Sequence, residues 1–377
     1  MRATLPEPTA EERAHSAALA QLIRNEIAAK GPMPFSRYME LCLYAPGLGY
    51  YSAGKTKFGP GGDFVTAPEL GSLFARCVAQ ALAPTLQDFD GTGDVLELGG
   101  GSGAFAEHCL LELDRLACAP RRFHILEPSA DLRQRQRQRL AAALPAHLAA
   151  RVEWLDRPPE ADWRGVLFAN EVIDALPTTR FAIRDDEVFE EHVVDAGDGG
   201  FASVDLPADG FVAQAVRAIE RELPQPFADG YRSELLPQLP YWLQAVTGSL
   251  REGLALFIDY GYARREYYLP ERRDGTLVAH YRHRAHADPY VLPGLQDLTA
   301  FVDFGALAIA ARGAGFDLAG LGSQADFLLA NGLPELFAAA QAAAPDEAAR
   351  YALAQEVKRL TLPGEMGERF KAIAFSR

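Results

Sequence analysis

The sequence predicts an α/β protein, a mostly parallel sheet with helices on both faces, preceded by a helical extension and interrupted by inserted segments. Three observations carry this. From residue 94 onward, short apolar runs alternate with stretches of helical length, which is the pattern of strand–helix–strand units. The first run, DVLEL at 94–98, feeds a glycine cluster, GGGSG at 99–103, and a helical stretch follows. A later run, LALFI at 254–258, has the length and composition of a strand buried on both faces.

The elements follow in order. Residues 10–29 carry Leu19, Leu22, Ile23 and Ile27 on one helical stripe, and Gly31 with Pro32 ends it. A short helix is expected at 35–44. Residues 46–64, PGLGYYSAGKTKFGPGGDF, are too rich in glycine to be regular and read as an ordered loop, either a ligand lid or a surface loop anchored by its aromatics. Helix is expected again at 68–83. The sheet units then run strand 95–98, helix 104–116, strand 123–126, helix 130–144, and strands 152–155 and 166–169. Alternation over 179–194, with Asp185 and Asp186 at its centre, reads as an added hairpin. Helices are expected at 239–250, 301–313, 324–331 and 334–343. The chain divides into an extension, 1–92, and a core, 93–377, with insertions at about 178–235 and 262–300.

Composition narrows the function. The 377 residues are 49% hydrophobic and 23% charged, as in an ordinary soluble globular protein, and no run is long and apolar enough to span a bilayer. A net charge of −14 opposes nucleic-acid binding and favours cationic ligands. The arginines of RQRQRQR at 133–139 point several ways around a helix and are expected to be solvated. The N-terminus shows no secretory or transit signal, so the expectation is cytoplasmic. Cys42, Cys77, Cys109 and Cys118 form no paired motif, and His280, His283 and His286 are spaced poorly for a metal on strand or helix. No metal site is expected.

The glycine loop implies a ligand at the sheet edge. Glycines at a strand–helix joint let backbone N–H groups approach a ligand where a Cβ would collide. Glu127, just past the next strand and 24 residues beyond Gly103, is placed to accept hydrogen bonds from ribose hydroxyls. A dinucleotide enzyme shares those features. The order here, Gly99-x-Gly101-x-Gly103, differs from the GxGxxG that seats a pyrophosphate, and Glu97 ahead of it suits a cation better than a diphosphate. Both details point to S-adenosylmethionine, which carries an ammonium and a sulfonium and no phosphate. Ser102 belongs to the same loop, and Asp156, next after the strand at 152–155, is placed in the cofactor set with it.

The acceptor end is read from the strand at 166–169, which leads into NEVIDALP at 170–177. Asn170 could orient an acceptor there, and Glu171 could bind a cationic one or take its proton. The alternative is a helix cap, with Asn170 as N-cap and Glu171 at the positive helix end. If the acceptor is a guanidinium, Glu171, Asp174 and Glu69 are the carboxylates available to hold its planar fork.

Further strings fall in order along the chain: DFVTAPE at 63–69, NEVIDALP at 170–177, IDYG at 258–261, GTL at 275–277, DLT at 297–299 with VDF at 302–304, SQADFL at 323–328 and MGERFK at 366–371. Together they resemble the MidA-like methyltransferase family over residues 30–373. The resemblance implies a class I methyltransferase core, Rossmann-like, with the extension and insertions already noted. It implies S-adenosyl-L-methionine as cofactor, with Gly99, Gly101, Gly103 and Glu127 matching the cofactor motif and Phe64, Thr66 and Asn170 flanking it. For the mitochondrial members it implies symmetric dimethylation of an arginine in a core complex I subunit, so a protein partner is expected here. The lack of a transit signal suggests a bacterial relative. Two other readings stay open: a cofactor-binding assembly protein without turnover, and a small-molecule methyltransferase.

Overall fold

The computed structural model describes residues 5–52, 66–197 and 199–377. Thr9 starts the first helix, Ala10–Lys30, with a reciprocal cap: its hydroxyl accepts the Glu12 N–H at 3.2 Å and its own N–H reaches the Glu12 carboxylate at 2.7 Å. The helix Phe35–Tyr44 then buries Phe35, Tyr38, Met39 and Cys42, which pack with Val193, Ala279 and Leu298 from two small sheets. The N-terminal extension therefore rests on the inserted segments.

The main sheet is an α/β sheet with the strands in the spatial order Asp317–Ser323, Phe370–Ser376, Leu250–Tyr262, Trp163–Asn170, Asp94–Leu98, Phe123–Leu126, Val152–Leu155, with Val302–Asp303 added beside Leu250–Tyr262. Asp94–Leu98 pairs in parallel with both Phe123–Leu126 and Trp163–Asn170, so strand order reverses at its carboxyl end. That reversal is where ligands bind in open sheets of this kind. Among the described strands of this sheet, only Phe370–Ser376 runs against its neighbours. One face is covered by Leu73–Asp88 and Ala104–Arg115, the other by Leu239–Thr247 and Phe304–Gly313, each with its own apolar cluster.

The hairpin expected around 179–194 is present as Thr179–Arg184 and Glu187–Asp195. Asp185 and Asp186 both take positive φ at its turn, and the hairpin belongs to a five-stranded sheet. The helix expected at 68–83 is two pieces, Ala67–Leu70 and Leu73–Asp88, with Gly71 and Ser72 between them. The helix expected at 239–250 ends at Thr247, because Leu250 already starts the central strand. His280 and His286 lie on the two arms of a hairpin, Val278–Tyr281 and Arg284–His286, with His283 in its turn, rather than along one strand or helix.

The arginine run is solvated over much of its length, as expected, but its guanidinium groups are engaged. Arg133 binds the Leu155 carbonyl at 2.7 Å and Asp156 at 2.5 Å, Arg137 lies over the Trp154 ring, and Arg139 pairs with Glu107 at 2.6 Å. These arginines are spent on the fold's own partners, which removes them as a phosphate-binding patch. All four cysteines are buried thiols. Among the described residues no helix is long and apolar enough to cross a membrane.

Candidate active site

The glycine loop sits at the strand-order reversal and forms one wall of a cavity of about 450 Å³. Gly99 and Gly101 hold φ of 68° and 51°, a left-handed region that a Cβ disfavours. Gly103 starts the helix Ala104–Arg115. Gly100 is held by packing instead: a Cβ there would lie 2.8 Å from Ile125 Cγ2. The loop thus offers backbone and no bulk to whatever fills the cavity.

Two carboxylates flank the loop, and both are buried. Glu97 Oε2 has no hydrogen-bond partner among the described residues, and burial, helped by Glu127, pushes its carboxyl up to about 8. An unpartnered buried carboxylate is costly unless a cation meets it. Glu127 is oriented by the Ser129 N–H at 3.0 Å and by the Gln136 amide at 3.3 Å, which fixes its carboxylate toward the same cavity. Gln136 also donates to the Gly101 carbonyl at 2.9 Å, so the loop and Glu127 are one bonded unit. These residues fit S-adenosylmethionine: Glu97 for the cationic amino-acid end, Glu127 for the ribose hydroxyls, and the glycines for close approach.

The opposite end of the cavity is built by the turn after Trp163–Asn170. No helix follows that strand, and Glu171 takes φ of 53°. The helix-cap reading therefore falls away, because there is no helix to cap. A left-handed conformation at a non-glycine residue is strained, and such strain collects at functional sites. Asp259 stabilises the turn from the neighbouring strand. Its buried carboxylate accepts the N–H groups of Ile173 at 3.0 Å, Asp174 at 3.3 Å and Tyr260 at 2.9 Å. Tyr260 in turn donates its hydroxyl to Asp174 Oδ2 at 2.5 Å.

This turn carries concentrated negative potential. Burial and the nearby Asp174 raise the Glu171 carboxyl to about 8, against the pull of the Asn170 amide, which donates to it at 3.0 Å. Burial raises Asp174 to about 6, with the Tyr260 hydroxyl opposing. Asp259 is raised by burial and by both neighbours. At neutral pH Glu171, near 8, is mostly protonated while Asp174, near 6, is mostly ionised, and a cation joining the cluster would draw it toward the charged forms. Tyr44 and Tyr51, stacked at 5.6 Å, close the side wall. Tyr44 donates to the Ala175 carbonyl at 2.8 Å and Tyr51 to Asp297 at 3.0 Å.

The sequence-predicted residues distribute as follows. Glu69, Glu97, Gly99, Gly101, Ser102, Glu127, Thr66, Asp156, Asn170, Glu171 and Asp174 all line this one cavity. Gly103 lies just behind it, at the helix start. Asp156 sits at the rim with its side chain 89% exposed, bonded to Arg133. Glu69 faces the cofactor loop, where the Ser102 hydroxyl donates to it. Phe64 lies outside the described residues, as does the lid expected at 46–64 beyond Ser52. Tyr44, Tyr51, Tyr260 and Asp297 line the cavity without having been singled out as site residues. IDYG and DLT were visible as strings, but only the fold shows that they meet the turn at 171–174.

Residues 77–322 match a family of S-adenosyl-L-methionine-dependent methyltransferases. The chain belongs to this MidA-like family. It is 44% identical to a protein from Burkholderia thailandensis whose crystal structure is bound to S-adenosyl-homocysteine, with a TM-score of 0.91, covering 99% of this chain and 95% of that one. It is also 28% identical over 331 residues to the "Protein arginine methyltransferase NDUFAF7 homolog, mitochondrial" of Drosophila melanogaster, covering 79% of this chain and 71% of the relative. The Homo sapiens "Protein arginine methyltransferase NDUFAF7, mitochondrial" is 27% identical, with coverage of 93% and 81%. This MidA-like protein is a methyltransferase that uses S-adenosylmethionine, on the α/β fold of its class.

A pH dependence follows for cofactor binding. Glu97 must ionise to meet an ammonium, and its carboxyl rests at about 8. Affinity for S-adenosylhomocysteine is expected to rise by up to about tenfold per pH unit between roughly pH 6 and 8, then level off. Calorimetric titration across that range checks it. Glu97→Gln should flatten the dependence and lower affinity at the upper end.

Proposed function

We propose that this MidA-like enzyme is a protein-arginine N-methyltransferase, and that a subunit of respiratory complex I is the first substrate to test. One observation carries the acceptor class. At the acceptor end of the cavity two accepting oxygens, Asn170 Oδ1 and Asp174 Oδ1, are buried with no partner among the described residues, and Glu171, which stands between them in sequence, lines the same cavity. The complement of such a surface is a group that donates hydrogen bonds and carries positive charge. A guanidinium has five N–H donors and no acceptor. The stacked tyrosines add a flat wall beside it. The names of the 27–28% identical relatives support the same reading.

Bound S-adenosylmethionine would supply an electrophilic methyl group on its sulfonium. The chain's own contribution is alignment, exclusion of water and control of one proton. Glu171, Asp174 and Asn170 hold the planar acceptor so that one nitrogen faces the methyl. A guanidinium that gains a methyl and stays a monocation releases one proton, and the Glu171 carboxylate is the base placed to receive it. With its carboxyl near 8, Glu171 is mostly protonated at neutral pH until a cation draws it to the charged form, which favours a charged acceptor over a neutral one.

Incubation with labelled S-adenosylmethionine and lysate from a deletion strain tests the reading. The expected result is label in one or a few proteins, recovered after hydrolysis as ω-N-methylarginines. Label in lysine, in base-labile esters or only in small molecules would overturn it. So would intact cofactor binding with no label at all.

A further inference from the structure

The acceptor end of the cavity has a second wall, built by the extension and an inserted strand rather than by the main sheet. The described start of the loop at 46–64 supplies Tyr50 and Tyr51 to it. That stretch folds back on the helix Phe35–Tyr44: the Tyr50 N–H reaches the Cys42 carbonyl and the Tyr51 N–H the Leu43 carbonyl, both at 2.8 Å. Gly49 permits the return, because a Cβ there would lie 2.5 Å from the Ala45 nitrogen. Tyr51 is thereby laid against the Tyr44 ring, with 20° between their planes.

Asp297 meets these tyrosines from the inserted strand. Asp297–Thr299 pairs with Val278–Tyr281 in the three-stranded sheet, and Asp297 is 5% exposed while lining the cavity. The Tyr51 hydroxyl lies 3.0 and 3.1 Å from its two carboxylate oxygens. Burial and the charge of Asp297 hold the Tyr51 phenol protonated, so the hydroxyl donates. A donor shared between both oxygens sets where the carboxylate points. Two more hydrogen bonds tie this wall to the turn that carries Glu171. The Tyr44 hydroxyl donates to the Ala175 carbonyl at 2.8 Å, and the Ala300 N–H to the Asp174 carbonyl at 3.0 Å. The tyrosines, the strand of Asp297 and the acceptor turn are thus one bonded frame facing one cavity.

We propose that Asp297 is a second anionic contact for the acceptor's cationic group, and that Tyr51 is the positioning residue that aims it. Glu171 and Asp174 meet the acceptor from the main sheet, and Asp297 meets it from the inserted strand. A buried carboxylate on a cavity wall favours a cation beside it. A planar guanidinium can donate to carboxylates on two sides at once while its faces lie against tyrosine rings. Selectivity for the acceptor then sits on the extension and the insertion, and cofactor binding stays with the glycine loop and Glu127. The identity of the cation rests on the arginine reading above.

The test is calorimetric titration of three peptides, differing only in an arginine, a lysine or a citrulline, into the full chain saturated with S-adenosylhomocysteine. Asp297→Asn keeps the size of the side chain and an oxygen for the Tyr51 hydroxyl. It is expected to raise the Kd of the arginine peptide by about 10- to 100-fold, the scale of a hydrogen bond to a charged group. The citrulline peptide should change by less than about threefold, and affinity for S-adenosylhomocysteine by less than about twofold. Tyr51→Phe keeps the stacked ring and removes only the hydroxyl, so it should weaken the arginine peptide by roughly three- to tenfold. The double variant should bind no more weakly than Asp297→Asn alone, because Tyr51 acts through Asp297.

An unchanged arginine-peptide Kd in Asp297→Asn would overturn the proposal, while a wild type that still prefers arginine would leave the arginine reading standing. Equal losses for the arginine and citrulline peptides would also overturn it, since the wall would then act by shape and not by charge. Losses that add in the double variant would overturn the role given to Tyr51. A failure of the arginine reading alone looks different. The lysine peptide would bind most tightly, and the Asp297→Asn penalty would fall on it and spare citrulline. A wild type that binds neither cationic peptide more tightly than citrulline would overturn both.

Discussion

Glu171→Gln is expected to lower kcat/KM for the acceptor by roughly 10³-fold, while affinity for S-adenosylhomocysteine stays within about twofold of wild type. The amide keeps the shape and the left-handed backbone of Glu171, so what is removed is the charge and the base. The pH profile should change with it. With cofactor saturating, kcat/KM of the wild type should rise with pH along a limb near 8, where the carboxyl ionises. That limb should vanish in the variant. Stability moves in the opposite sense. A carboxyl raised from 4.5 to about 8 on folding contributes stability that is complete below about pH 4.5 and is lost as pH climbs through 8. Urea midpoints without ligand should therefore show the wild type falling relative to Glu171→Gln between those values. Steady-state kinetics and denaturation on the same two proteins check both signs.

Asp259→Ala is expected to be the most damaging change outside the residues that meet a ligand. Its carboxylate is 1% exposed and accepts three backbone N–H groups. Removing it leaves at least two of them buried without a partner, at about 1–3 kcal/mol each, so a loss of about 3 kcal/mol in unfolding free energy is expected. The turn at 171–174 would lose its brace, and acceptor activity should fall with it even at temperatures where the protein is folded. Cofactor binding should be spared by comparison, because the glycine loop stands on a different strand with its own ties through Gln136. Asp259→Asn retains one accepting oxygen and should fall between wild type and Ala in both measurements. Equal stability of wild type and Asp259→Ala by urea denaturation would show that other groups hold the turn.

The cofactor half of the site is legible in the sequence because its determinants are local. Strand, glycine loop, helix and Glu127 lie within one βαβ unit, and their spacing alone sets their relative placement. The acceptor half is legible only in part. Asn170, Glu171 and Asp174 are close in sequence, but their environment comes from Asp259 and Tyr260, about 86 residues away by the hydrogen bonds that join them. Tyr51 and Asp297, 246 residues apart, meet through packing of the extension on the inserted sheets, for which no periodicity gives a signal.

Some misreadings have a local cause. The helix expected across 68–83 has good propensity throughout except at Gly71, and it breaks there because a carboxylate from the far end of the chain occupies the space. The turn at 171–177 resembles a helix start in its residue types, Asn then Glu, yet Glu171 adopts positive φ and the chain turns instead. In both places tertiary contacts override local preference; the second lies in the active site, and the first lies two residues past Glu69 of its wall. The strand Asp317–Ser323 gives little strand signal in the sequence, since DLAGLGS is glycine-rich and exposed along most of its length; its pairing with Phe370–Ser376 comes from the fold.

The most direct measurement is calorimetry of an arginine peptide binding to the protein already saturated with S-adenosylhomocysteine, repeated in buffers of different ionisation enthalpy. At about pH 7 the Glu171 carboxyl is mostly protonated and must ionise to meet a guanidinium, so binding should release about one proton. The release should disappear in Glu171→Gln, and a peptide with citrulline, neutral and nearly isosteric, should bind far more weakly. Equal binding of the citrulline peptide, or arginine binding with no proton released, would contradict a carboxylate site built for a cationic acceptor.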